Sequence, residues 1–297
     1  MKTIALVYGG KSLESEVSVL TALKIKDGIP KDKYIIAIKK AVIYGILSVP
    51  YTIDRMGYGN SPDGVKKRII NIAKGKIGEF LFEQYCINKG FQISRSKTET
   101  PFWKYDKNDF IINGITVDLK NNYVYSFRPE YTNELPALVP ETQFNKVKPF
   151  EFYYVFSFLP KNNDDFFDIH LTKESLKYIG SLNNNCCGEQ LNHKPEYFTT
   201  EKEWFKNFFD TYGKCDKVVT FSSNLPQLVI GGYASRKDGD FDEFKLVNPD
   251  SLKTLGGNIY TKVKNYFTPI KTLRPFIFET NKGGFLMKVI IMNIMKF

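Results

Sequence analysis

Asn113-Gly114 constrains this chain more than any other pair of residues in it. It stands between two apolar runs, Asp109-Phe-Ile-Ile and Ile115-Thr-Val-Asp-Leu-Lys120. A two-residue connection of type I′ needs positive φ at both positions, which Asn followed by Gly accepts at least cost. The runs are therefore predicted to pair antiparallel as a tight hairpin. Folding back brings Asp109, at the outer end of the first strand, beside Asp118 and Lys120 near the outer end of the second. Residues two apart on a strand share a face, so Asp118 and Lys120 project together, with the Leu119 carbonyl between them. Phe110, Ile111, Ile112, Ile115, Val117 and Leu119 imply largely buried strands, where a carboxylate without a partner is costly. The plainer alternative is a solvated Asp-x-Lys alternation in which Asp109 only starts a strand after Lys107-Asn108.

Upstream, apolar Ile69, Ile72, Ile77, Phe80, Leu81 and Tyr85 give a helical pattern from Val65 to Asn88, stopped by Lys89-Gly90. Glu79 lies within it, and Glu83 follows one turn later on a similar face; Gly78-Glu79-Phe80 favours Glu79 as the inward carboxylate. Two carboxylates and a carbonyl converging at one point make a hard, all-oxygen site suited to Mg²⁺, the ion that phosphodiester hydrolysis needs. A neighbouring ammonium then orients the attacking water or offsets developing negative charge. His170 and His193 are the chain's two histidines, which leaves little room for imidazole chemistry.

The arrangement Asp109, Asp118-Leu119-Lys120 with an upstream glutamate resembles the PD-(D/E)XK nuclease superfamily, the core of many restriction endonucleases. The resemblance extends loosely over about residues 62–280, with Phe152–Leu159 and Gln227–Ser235 as further core strands. Asn108 stands where that family often has proline. The resemblance implies an α/β, restriction-endonuclease-like fold, a central mixed sheet flanked by helices. It also implies catalytic Asp109, Asp118, Lys120 and Glu79, with Mg²⁺ (Mn²⁺ as a substitute) held by Asp109, Asp118, Leu119 and Glu79. Double-stranded DNA is the implied substrate, and a homodimer and a cognate DNA methyltransferase encoded nearby are the implied partners. A nuclease acting on structured or damaged DNA is the rival reading within the fold.

The opening segment has another character. Ile4–Tyr8 reads as a strand, Gly9-Gly10 as a turn, the stretch from Ser12 as a helix through Val17, Leu20 and Leu23, and Lys33–Ile38 as a second strand after Asp27-Gly28-Ile29-Pro30. Gly9-Gly10-Lys11-Ser12, with Glu14, Glu16, Val17 and Ser18, resembles the N-terminus of D-alanine–D-alanine ligases over about residues 2–38, and the resemblance gives Glu16 a role in holding a substrate amino group. An ATP-grasp unit should follow, and only Glu279-Thr280-Asn281 resembles part of one. The same residues satisfy a permissive P-loop pattern, but using residues 5–8 as strand leaves too short a loop to wrap a diphosphate. A catalytically empty βαβ appendage over residues 1–45 is expected, separated by the turn formers between Ile43 and Pro62 from the unit at 62–280, with an apolar tail at 281–297. An ATP-dependent ligase-derived enzyme or a noncatalytic DNA-binding module is the reading from another class.

Lys+Arg of 42 against Asp+Glu of 32 gives a net charge of +10, which favours an anionic partner. The abundance of Lys, Asn, Ile, Phe and Tyr is also what an AT-rich genome produces. Cys86, Cys186, Cys187 and Cys215 lack zinc-site spacing and read as reduced thiols. With no apolar run long enough to cross a bilayer and no secretory apolar region after Met1, a soluble cytoplasmic protein without membrane contact is expected. Trp204, Phe205, Phe208 and Phe209 have core-like helical spacing, and His193-Lys194 and Arg236-Lys237 are loop cations able to meet phosphate.

Overall fold

A computed structural model describes residues 29–49, 61–95, 109–124, 135–160, 167–184, 219–221, 228–249, 252–254, 257–259, 261, 263–274 and 276. In chain order the first elements are α1 (Lys31–Ser48), α2 (Pro62–Asn88), β1 (Ile93–Arg95), β2 (Phe110–Ile112), β3 (Ile115–Val124), β4 (Pro136–Pro140) and the one-turn α3 (Glu141–Phe144). There follow β5 (Phe152–Pro160), β6 (Phe167–Ile169), α4 (Lys173–Asn184), β7 (Val219–Phe221), β8 (Val229–Ser235), β9 (Lys245–Val247), β10 (Leu252–Thr254), β11 (Gly257–Ile259) and β12 (Asn265–Pro269).

The long helix expected from Val65 is α2, and both its ends are written in local chemistry. Ser61 caps it by accepting from the Gly64 N–H at 3.1 Å, and Pro62 occupies the first turn, where a missing N–H costs nothing. At the other end the N–H groups of Gly90 and Phe91 return to the Ile87 and Cys86 carbonyls and satisfy the orphan acceptors there. Val65, Ile69, Ala73, Ile77 and Leu81 recur every four residues and are fully buried. Each of the larger side chains contributes roughly 1.5–3 kcal/mol by leaving water.

The strand expected at Lys33–Ile38 is instead part of α1, an 18-residue helix. Read locally, Tyr34-Ile-Ile-Ala-Ile38 is an apolar run that suits either state. Over a longer window the buried residues are Tyr34, Ala37, Ile38, Ala41, Val42 and Ile46, the helical period. That face packs on α2 in one apolar cluster. Arg68 of α2, 1% exposed, donates from its guanidinium to the Val49 carbonyl at 3.1 Å, so a cation satisfies the end of α1. The βαβ reading thus fails at its second strand, and the proposed limit at residue 45 falls inside a helix belonging to the same core as α2.

The central sheet is five-stranded, in the order β1-β2-β3-β5-β8, and mixed: β3 and β5 run parallel while the other neighbours are antiparallel. The Asn-Gly hairpin forms as read, with Ile112 opposite Ile115 and φ of 48° at Asn113 and 85° at Gly114. Phe152–Leu159 and most of Gln227–Ser235 are realised as β5 and β8. One face of the sheet, through Val117, Leu119, Tyr153, Val155 and Leu159, packs on α1, α2 and α4. On the other face, Phe152, Tyr154, Phe156 and Phe158 build an aromatic core with a three-stranded antiparallel sheet of order β4-β12-β9. The architecture is therefore α/β, a mixed sheet with helices against it. Among the described residues no helix is long and apolar enough to cross a membrane.

The ligase-like motif at residues 9–18, Cys186, Cys187 and Cys215, His193-Lys194, Trp204–Phe209, Glu279-Thr280-Asn281 and the tail at 281–297 lie outside the described residues. Cys86 is a buried free thiol whose pKa burial pushes up.

Candidate active site

β2 begins at Phe110, one residue after Asp109, whereas β3 continues past its pairing with β2 to Val124. From Asp118 onward β3 therefore has β5 on one edge and, among the described residues, no ladder partner on the other. The Asp109 side chain fills that place: its Oδ2 accepts from the Leu119 N–H at 2.7 Å. On a strand the N–H and C=O of one residue leave along the same edge, so the Leu119 carbonyl lies on the edge that Asp109 caps.

Asp118 and Lys120 share the opposite face from Leu119, each beside an aromatic of the parallel neighbour: Asp118 is in register with Tyr154 and Lys120 with Phe156. Asp118 is 7% exposed. Its Oδ1 lies 2.6 Å from the Lys120 ammonium, which also donates to Gln143 Oε1 at 2.8 Å and stands over the Tyr154 ring at 5.5 Å. The Asp118 charge and, first, burial push the Tyr154 phenol upward.

α2 contributes Glu79, placed against the sheet by a close approach at Gly78. A Cβ there would meet Asn121 Cγ at 2.6 Å. Asn121 donates to the Lys74 carbonyl of α2 at 3.0 Å and accepts from the buried Ser157 hydroxyl at 3.0 Å, tying helix to sheet beside the acidic groups. The two candidate glutamates have different surroundings. Glu83 is held by Arg95 in a bidentate pair with contacts of 2.8–3.2 Å. Glu79 takes the Lys76 ammonium at 2.7 Å, with Arg95 farther off at 3.7 Å.

The electrostatics tie these groups together. Burial holds the Asp109 carboxyl well above the usual carboxylate range, the charges of Glu79 and Asp118 push the same way, and Lys120 and Lys76 oppose them. All four residues marked out by the sequence, Asp109, Asp118, Lys120 and Glu79, thus belong to one electrostatic neighbourhood. Its donors are hard oxygens, the set a divalent magnesium ion prefers. Among the described residues no group of three Asp, Glu, His or Cys side chains draws close enough to enclose an ion by itself. The donor chemistry fits Mg²⁺, with Lys120 and Lys76 now sharing the carboxylate oxygens.

Gln143 and Lys148 escaped the sequence reading. They sit beyond β4, in α3 and the segment after it, and no spacing links them to Lys120, which is 23 residues from Gln143. Burial pulls the Lys148 ammonium below the usual lysine range; the Asp118 charge opposes this and Lys120 and Lys146 reinforce it. Of the loop cations, Arg236 donates to the Lys148 and Pro149 carbonyls, and Lys237 pairs with Glu151 at 3.5 Å.

Comparison of the chain with protein-family models, curated proteins and solved structures finds no match.

Proposed function

We propose that this protein is a metal-dependent DNA endonuclease of restriction-endonuclease-like fold, acting on double-stranded DNA in the cytoplasm. The observation that carries the reading is the meeting, where β3 runs past β2, of a half-buried carboxylate, Asp109, and a buried one, Asp118, with a lysine two residues after the second. The helix carboxylate Glu79 and the order helix, antiparallel β1-β2-β3, then β5 parallel to β3 support the PD-(D/E)XK resemblance. The net charge of +10 suits a polyanionic substrate.

In this reading Asp109, Asp118, the Leu119 carbonyl and Glu79 hold Mg²⁺, which when bound supplies Lewis-acid polarisation of the phosphodiester and a more acidic water. The remaining work falls to the chain. Asp109 keeps the free edge of β3 in place through the Leu119 N–H. Lys120, already oriented by Gln143 and Asp118, directs its ammonium at the attacking water or at the charge growing on the phosphate. Gly78, Asn121 and Ser157 fix the distance between α2 and β3, and so the place of Glu79. A restriction enzyme of this kind acts as a homodimer on paired half-sites and alongside a protecting methyltransferase.

Incubation with supercoiled plasmid tests the reading. Mg²⁺ or Mn²⁺ is expected to support nicking or linearisation, Ca²⁺ to support binding without cutting, and EDTA to stop cleavage. Discrete fragments identify a sequence-specific enzyme and a smear a nonspecific one. Cleavage undiminished by EDTA refutes the metal site.

A further inference from the structure

Lys148 is a buried residue whose ammonium has no hydrogen-bonded anion among the described residues. The residue is 9% exposed. Its ammonium stands over the Phe152 ring at 4.6 Å and the Tyr154 ring at 5.5 Å. Among the described residues it meets no carboxylate or carbonyl within hydrogen-bond reach, in contrast to Lys120 and Lys76. Aromatic faces attract a cation but do not saturate its three N–H donors. An ammonium in that state keeps its N–H donors open to an anion. The segment carrying it is held from behind, since the Arg236 guanidinium donates to the carbonyls of Lys148 itself and of Pro149. Lys120 stands over the same Tyr154 ring, also at 5.5 Å, so the two ammonium groups share one aromatic neighbour, and the Asp118 charge acts on both.

We propose that Lys148 is a phosphate-binding residue that takes an oxygen of the nucleic-acid backbone beside the Asp118–Lys120 pair. The inference rests on the nuclease reading for the identity of its anion, and on burial and geometry for the site. Phe152 and Tyr154 give a low-dielectric platform beside the ammonium that strengthens its hold on a phosphate. Contact with the backbone alone makes the residue blind to sequence, and places it among the groups that set where the strand lies.

The test uses the full chain and a 20-base-pair duplex in EDTA, so that nothing is cut. Reductive methylation of lysines, followed by mass spectrometry, reads Lys148 directly, with exposed Lys177 on α4 as the reference. Duplex is expected to protect Lys148 and leave Lys177 reacting as before. Lys148→Met keeps the packing on Phe152 and Tyr154 and removes the charge. It is expected to weaken duplex binding about tenfold, equally for unrelated sequences, and to reduce the slope of log Kd against log salt by about one. Lys148→Arg is expected to restore both. Unchanged labelling of Lys148 in a bound complex, an unchanged salt slope for Lys148→Met, or no duplex binding by the wild-type protein overturns the proposal. The two readings separate cleanly. Protection of Lys148 without any cutting in Mg²⁺ leaves the phosphate site standing and defeats the hydrolytic function, whereas cutting without protection does the reverse.

Discussion

Along β3, Val117, Leu119 and Asn121 face α2, whereas Asp118 and Lys120 face the side of the sheet covered by β4, α3 and the aromatic core. On the helix side Asn121 spends its amide on the Lys74 carbonyl and on Ser157, closing the contact between β3 and α2. On the other side, charges are gathered more densely than packing requires: Asp118, Lys120 and Lys148 cluster around Tyr154 with the Gln143 amide, and Asp109 lies at the strand edge. One strand thus carries an anchoring face and a reactive face, and its two-residue alternation is what lets buried structure fix the position of buried charge.

The largest effect that would sharpen this contrast is at Asp118. Asp118→Ala is expected to lower the cleavage rate by about a thousandfold, the equivalent of about 4 kcal/mol, with circular dichroism and duplex binding preserved. Cleavage comparable to wild type would leave the reactive face without its central residue. Lys120→Ala is expected to cost about a hundredfold in single-turnover rate while Mg²⁺ still supports the remaining activity, because the ammonium acts on water and charge rather than on the ion.

On the anchoring face the signature is different. Asn121→Leu leaves the Ser157 hydroxyl buried without its acceptor, and is expected to lower unfolding free energy by about 1–3 kcal/mol in urea titration. Loss of activity without that loss of stability would place Asn121 on the reactive side instead. The smallest expected effect comes from comparing neighbouring glutamates. Glu79→Gln is expected to slow cutting about tenfold. Glu83→Gln, which breaks only the Arg95 pair, is expected to change the rate less than about threefold and to cost about 1 kcal/mol of stability. The opposite ranking of rates would move the helix carboxylate to Glu83.

Much of this organisation is legible in single residues. Asn113-Gly114 dictates a hairpin because few other pairs accept positive φ twice, and the hairpin in turn places Asp109 beside Asp118. Ser61-Pro62 and Lys89-Gly90 bracket α2 because helix ends demand partners for their orphan N–H and C=O groups. The misread strand at Lys33–Ile38 shows the limit of a short window. Four or five apolar residues in a row satisfy either period, and only their continuation through Ala41, Val42 and Ile46 separates the two.

The sequence by itself determined those elements whose causes are local: the hairpin and its register, the capped helix, the shared face of Asp118 and Lys120, and the apolar strand at Phe152–Leu159. Only the tertiary structure decided what stands opposite them. It gave Glu83 to Arg95 and Glu79 to the acidic group, although the two lie one turn apart on the same helix. It brought Gln143 and Lys148 to Lys120 and Tyr154 by threading the chain through β4 and α3 between two parallel strands. Local patterns record the backbone torsions and burial that each residue requires of its near neighbours. A parallel pair of strands is joined by a crossover whose length leaves no periodic trace, so what the crossover delivers to a site is fixed only when both faces of the sheet have been packed.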